Sequence, residues 1–459
     1  MPDAALGPDW FGVLGKALAR LGEGAQSLPP TETTTAAAAG QTEAFERVLL
    51  ETATRMQDNF PYAHPLYAGQ MLKPPHPIAR LAYTLAMTVN PNNHALDGGR
   101  ASSAMEKEAV AQIARMFGWH EFLGHLTGGG TMANLEALYV AGQLRPGEAI
   151  AASSQAHYTH GRISGVLGLP FVSVPVDAAG GMDLVALERL LGERSIGTVV
   201  ATLGTTAIGS VDPLPALLAL QSRFGFRIHA DAAYGGYFSL VSNLAPATAA
   251  AFASVSQVDS IVIDPHKHGL QPYGCGCVLF RDASVGRFYR HDSHYTYFSS
   301  AELHLGEISL ECSRPGAAAV ALWATQRLLP LEPGGAFAHG LEASHRAALA
   351  LHARIVADPR FIAGPTPELD IVVWAVRAGS VSEASKRARE VFDAAARADL
   401  HLALAELPTE FLAVSHAGMA PDRDTITCLR SVLMKPEHLA WLDRIWARID
   451  TATQSATAG

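Results

Sequence analysis

Between residues 104 and 282, short apolar runs alternate with longer segments whose apolar residues recur every three or four positions. The runs AIAASS (149–154), FVSVPV (171–176), TVVATLG (198–204), FRIHADA (226–232), SIVID (260–264) and GCVLF (276–280) read as strands. Segments such as 183–193 and 213–225 between them read as helices. Near-continuous apolar strands separated by helices predict a mainly parallel central sheet covered on both faces, an α/β fold. After a mostly helical connection at 315–355 the pattern changes. LDIVVWAVR (369–377), a helix at 381–399 with Val381, Ala384, Ala388, Val391, Phe392 and Ala395 on one face, two more strands and a final helix from about 436 predict a small C-terminal α+β unit. At the other end, an amphipathic segment at 10–21, a Gly, Pro, Thr and Ala-rich arm at 22–41 and a helical stretch at 42–58 precede NFPYAHPLYAGQMLKPPHP. That last stretch is too rich in proline for regular structure and needs ordering from outside itself. The expected organisation is an N-terminal arm and helical segment (1–90), a large α/β domain (91–335) and a small C-terminal α+β domain (336–459).

Composition narrows the partners. With 459 residues, 49% hydrophobic and 17% charged, the chain can bury a large core. A formal net charge of −9 and no basic run argue against nucleic acid or an anionic membrane surface and for a small molecule. Four cysteines without a CxxC pair indicate neither a zinc ribbon nor a disulfide framework, so a reduced compartment is expected. The opening residues lack a secretory pattern and no apolar run reaches membrane-spanning length, which predicts a cytoplasmic protein.

In open parallel sheets ligands sit beyond the carboxyl ends of the strands. Three such ends carry distinctive groups: ATLGTT with Thr205 and Thr206, RIHADAAYGG with His229 and Asp231, and VIDPHKHG with Asp264, His266 and Lys267. A buried lysine is expensive and its pKa shifts readily, so a strand that delivers one suggests chemistry. Upstream, HLTGGGTMANLEALYVAG sets Gly129, Gly130 and Thr131 at the start of a helix, where unpaired amides and the helix dipole favour a phosphate. Neither a P-loop nor a GxGxxG fingerprint is present. Pyridoxal 5'-phosphate is one ligand that needs every feature: phosphate at the amides and Thr131, aldehyde on Lys267, and a ring nitrogen kept protonated by Asp231.

TGGGTMAN, SSQAHYTHGRISGVLGL, VVATLGTTAIGSVD, HADAAYGG and DPHKHGLQPYGCG occur in an order and spacing that resemble the pyridoxal phosphate-dependent group II amino acid decarboxylases. The resemblance implies the aspartate aminotransferase-like fold (fold type I), a homodimer, and decarboxylation of an L-amino acid, an aromatic one as first guess, to amine and carbon dioxide. It further implies that Gly129, Gly130 and Thr131 hold phosphate with help from His266, that His157 stacks on the cofactor ring, that Thr206 and His229 line it, and that Ala233 packs beneath it beside Asp231. The family returns the α-carbon proton from a loop tyrosine, here in FYRHDSHYTYFSSAELHLGE (288–307), with Tyr295 first and Tyr297 second. Substrate walls are expected from His64, Tyr67, His94 and Tyr295, and Arg430 is a candidate carboxylate partner.

Two departures keep alternatives open. His268 stands where many members carry an apolar or aromatic residue, and only Arg314 and Trp323 mark the segment that follows the loop. An aldehyde synthase, an aminotransferase or a carbon–carbon lyase on the same fold are the nearest rivals. From another class, His266, His268, His291 and His294 suggest a metal-binding protein or hydrolase.

Overall fold

The structure, a computed structural model, describes residues 8–24, 38–289, 303–412 and 418–457. Seven strands build the larger sheet: β1 (Leu123–Thr127), β2 (Ala149–Ser153), β3 (Phe171–Val174), β4 (Ile196–Thr202), β5 (Arg227–Asp231), β6 (Ser260–Ile263) and β7 (Gly276–Phe280), in the order β1-β7-β6-β5-β4-β2-β3. From β6 to β3 all neighbours pair in parallel. Only β7 runs the other way, antiparallel to both β6 and β1. No helix lies between β6 and β7, and without a crossover the chain can return only antiparallel. Every residue of β2, β4, β6 and β7 is buried, as expected for strands covered on both faces. At the edge, β3 alternates, with Phe171 and Ser173 exposed and Val172 and Val174 inside. Its pairing stops before Pro175, two residues short of the predicted end. The strand β1 did not stand out in the pattern because its sequence, LGHLT, carries Gly124 and His125 among only two leucines.

The smaller sheet comprises β8 (Phe361–Ala363), β9 (Ile371–Val376), β10 (Ala403–Pro408) and β11 (Thr425–Val432), ordered β10-β11-β9-β8 and antiparallel throughout. Helices Ala336–Ala357 and Val381–Arg397 pack on it, and His438–Thr457 packs on both helices. The helix Val381–Arg397 buries Val381, Ala384, Ala388, Val391 and Ala395, and Ser380 caps it by accepting from the Glu383 amide. Trp374 of β9 is wholly buried beneath these helices.

The proline-rich stretch is ordered by backbone pairing with this smaller unit. The Ala68 amide donates to the His401 carbonyl, His401 donates to Leu66, and Val432 donates to Ala68, at 2.9, 2.9 and 2.7 Å. Gly69 is required there, because a Cβ would stand 2.5 Å from the Leu402 carbonyl oxygen. Among the described residues no helix is long and apolar enough to cross a membrane.

Candidate active site

The strands that share one direction end on the same side of the sheet, and the ends of β1, β4, β5 and β6 open into a cavity of about 580 Å³. Lys267, four residues past β6, reaches it with a side chain 21% exposed, and its Nζ lies 3.0 Å from Asp264 Oδ2. Burial alone would lower the lysine pKa, but Asp264 and Asp231 more than offset this and raise it, so the amine is held as an ammonium. Asp264 Oδ1 is buried without a hydrogen-bond partner among the described residues.

Asp231, the last residue of β5, is the best-supported group in the cavity. Its Oδ2 lies 2.8 Å from His160 Nε2 and accepts from Asn134 Nδ2 at 3.3 Å, while Oδ1 accepts from the Ala233 amide at 3.1 Å. Burial would raise its pKa, but the hydrogen bond and charge of His160, with the charge of Lys267, hold it well below the usual carboxylate range. Behind it, His229 Nε2 stands 2.8 Å from Asn134 Oδ1 and Nδ1 stands 2.9 Å from Ser260 Oγ. Because the Asn134 amide nitrogen faces a carboxylate, its oxygen must accept, which assigns the His229 proton to Nε2. Burial pushes His229 down to about 3, so this imidazole stays neutral.

The glycines make room at the opposite wall. Gly129 has φ +149°, a backbone that L side chains rarely adopt, and a Cβ there would meet His266 Cε1 at 3.3 Å. A Cβ on Gly130 would meet Asp264 Oδ2 at 2.7 Å. Among the described residues no side chain caps the helix Gly130–Leu144 that begins here, and its first residues line the cavity with Thr131, whose Oγ1 lies 3.5 Å from Thr159 Oγ1. His157 accepts the Thr159 amide on Nδ1 at 3.3 Å, and burial lowers its pKa. His266 stacks on Tyr273 at 4.6 Å between ring centres, and burial lowers its pKa as well.

Of the expected residues, Gly129, Gly130, Thr131, His157, Thr206, Asp231, Ala233, His266 and Lys267 line this one cavity. Others do not. His229 was expected on the wall, but Asn134 stands between it and Asp231. His64 packs on Trp441 at 4.8 Å, and Tyr67 pairs with His401 beside the smaller sheet. His94 lies against Cys312, with Nδ1 3.6 Å from Sγ. None of these three lines the cavity: backbone pairing draws 60–72, with His64 and Tyr67, toward the smaller sheet, and His94 is held beside Gly306 and Cys312. Arg430 is 5% exposed and donates to the carbonyls of Thr206, Ala207 and Gly69, at 2.7, 2.9 and 3.1 Å. It braces the loop behind Thr206 and is not a cavity residue. Tyr295, Tyr297, His291 and His294 lie outside the described residues. His266 and His268 line different cavities, and among the described residues no group of three or more His, Cys, Asp or Glu is placed to hold a metal ion.

Asn134, His160, Tyr234 and Glu311 were missed. The first two carried a signal, since Asn134 is one helical turn past Gly130 and His160 lies three residues past His157. Nothing local marked Glu311, whose Oε2 accepts from the Gly128 amide at 2.9 Å.

An uncapped helix start, an unpartnered buried carboxylate oxygen beside a lysine amine, and a fixed carboxylate fit the phosphate, aldehyde and ring nitrogen of pyridoxal phosphate, which places the protein among the α/β pyridoxal phosphate enzymes. Residues 143–377 match the pyridoxal-dependent decarboxylase conserved domain, and the chain belongs to that family. It is 28% identical over 368 residues to an L-tyrosine decarboxylase of Enterococcus faecium, across 59% of this chain and 60% of that protein's length. It is 30% identical over 285 residues to an L-aspartate decarboxylase of Thermococcus kodakarensis, across 61% and 72%. In fold it is similar to Oryza sativa TDC solved with PLP and tryptamine, with a TM-score of 0.76, 19% identity, and 97% and 94% of the two chains covered.

Proposed function

We propose that this protein uses pyridoxal phosphate to decarboxylate an L-amino acid with a neutral, preferentially aromatic, side chain, giving the amine and carbon dioxide. The observation that carries the reading is the pairing, in one cavity, of the Lys267 amine with a carboxylate, Asp231, that its neighbours keep ionised. When bound, the cofactor supplies an aldehyde for condensation with amines and a cationic ring that accepts the electron pair left by carbon dioxide. Lys267 anchors it, and Asp231, oriented by His160 and Asn134, holds a proton at the ring nitrogen. The amides of Gly129, Gly130 and Thr131, with the Thr131 hydroxyl, bind the phosphate and His266 flanks it. The neutral His157 stacks on the ring and Ala233 supports the other face. Tyr295 returns the proton to the α-carbon, with Tyr297 as the second candidate.

Charge on the walls supports a neutral side chain. Among the described lining residues the carboxylates are Asp231, Asp264 and Glu311, and Lys267 is the only lysine or arginine. Among those residues no cation is left over for a second carboxylate, whereas Met132, Leu135 and Tyr234 offer apolar surface. The active species is a homodimer built from an N-terminal segment (1–90), a large domain (91–335) and a small domain (336–459). A panel of L-amino acids, read by mass detection of products together with carbon dioxide release, tests the reading. Tyrosine, tryptophan or phenylalanine should yield amine. Aldehyde or keto acid as the main product, or preference for aspartate, would overturn it.

A further inference from the structure

A second cavity, of about 430 Å³, lies behind the first and shares no lining residue with it. Its walls combine Lys73, Arg80 and Lys435 with a single carboxylate, Glu437, and with His268, the residue that departs from the family pattern. Lys435 is 3% exposed, yet its Nζ donates to a backbone carbonyl, that of Tyr67 at 2.5 Å. Lys73 Nζ donates to the Met434 carbonyl at 3.3 Å. Among the described residues neither ammonium has a carboxylate within ion-pair distance, and Lys435 Nζ has only the Tyr67 carbonyl and, at 5.3 Å, the centre of the Tyr67 ring. An ammonium has three donors, and a buried charge is costly unless it is paired. His268 is fully buried, and neither ring nitrogen has a hydrogen-bond partner among the described residues, although Nε2 lies 3.3 Å from Asp370 Oδ2. Leu270, Leu329, Phe337 and Leu341 make the remainder of the wall apolar.

We propose that this cavity is a second binding site, for a small organic anion with one oxyanion head between Lys73 and Lys435 and an apolar body against Leu270, Leu329, Phe337 and Leu341. Cations on the wall exclude a metal ion. An inorganic anion would leave the apolar half of the cavity without a partner, which is why the occupant carries a hydrocarbon part. Burial pushes Lys73 down to about 8 and Lys435 down to about 7, against the opposing pull of Glu437 on both and of Asp370 on Lys73. The cavity adjoins the first through Asp370, which accepts from the hydroxyl of the lining residue Tyr234 at 2.5 Å.

The probe is 3-(4-bromophenyl)propionate, added to the holoenzyme so that the phosphate site is filled. Anomalous diffraction should place bromine beside Phe337 and Leu341. By calorimetry the acid should bind at least about tenfold more tightly than its neutral amide and than inorganic phosphate, and Lys435→Met should remove about the same factor. Bromine found only in the Lys267 cavity, equal binding of acid and amide, or an unchanged affinity in Lys435→Met would overturn the proposal. Should that variant fail to fold, the diffraction and the acid-against-amide comparison on the unmodified enzyme still decide it.

Discussion

Two buried charged clusters stand on either side of the segment that carries Lys267 and His268, and they are built on opposite principles. Around Asp231 the pairing is dense: His160, Asn134 and the Ala233 amide all reach the carboxylate, and its charge is fixed well away from neutral pH. Around Lys73 and Lys435 the ammonium groups lean on backbone carbonyls, and burial brings both titrations toward neutrality. A paired buried charge is committed to one state, whereas an unpaired one can be changed by pH or by a ligand.

The sharpest test on the paired side is Lys267→Ala, which should lower decarboxylation by on the order of 10³-fold or more and abolish the borohydride-trapped adduct at position 267. Asp231→Asn should follow, lowering kcat by about 10²–10⁴-fold while the adduct still forms, because the ring loses its counter-charge and not its anchor. Smaller again is His160→Phe, expected to lower kcat about tenfold and to alter the cofactor absorbance and its pH profile. A role confined to packing would leave the spectrum unmoved.

Stability tests sharpen the other side. Arg430→Met leaves three carbonyls behind Thr206 without their donor and should cost about 2–4 kcal/mol in chemical denaturation. The folded pKa of Lys435 lies near 7, below its ordinary 10.5, so its contribution to stability is present above about 10.5 and is lost as pH falls toward 7. Lys73, Glu437 and Asp370 face the same region. Thermal melting should therefore drop over this window, and Lys435→Met should flatten the drop by on the order of 2 kcal/mol. A melting profile identical in the variant would mean that the folded pKa of the amine is not lowered and that it stays protonated throughout this window.

Much of the fold was legible because buried parallel strands and amphipathic helices write their environment into consecutive residues. The stripe Val381, Ala384, Ala388, Val391, Phe392, Ala395, of which all but Phe392 are buried, and the run at 198–204, whose strand forms at 196–202, are read that way. The short strand β1 was not, since two leucines around Gly124 and His125 form no pattern until β7 pairs with them. Lys267, Asp231 and the glycines meet in one cavity because each sits at the end of a predicted element. His64 and Tyr67 lie away from the cavity because proline-rich backbone has no period, and its course is set by carbonyls and amides of the smaller sheet, while His94 packs against Cys312.

By itself, then, the sequence determined what local physics records: where strands and helices lie, which side chains end them, and the order of the motifs. Only the tertiary structure decided that His160 and Asn134 hold Asp231, that His229 stands behind Asn134, that Arg430 serves carbonyls, and that Lys73 and Lys435 share a cavity although 362 positions separate them. Hydrogen bonds and burial depend on distance in space, and a chain that folds back through a sheet brings together groups whose spacing in sequence carries no trace of the contact.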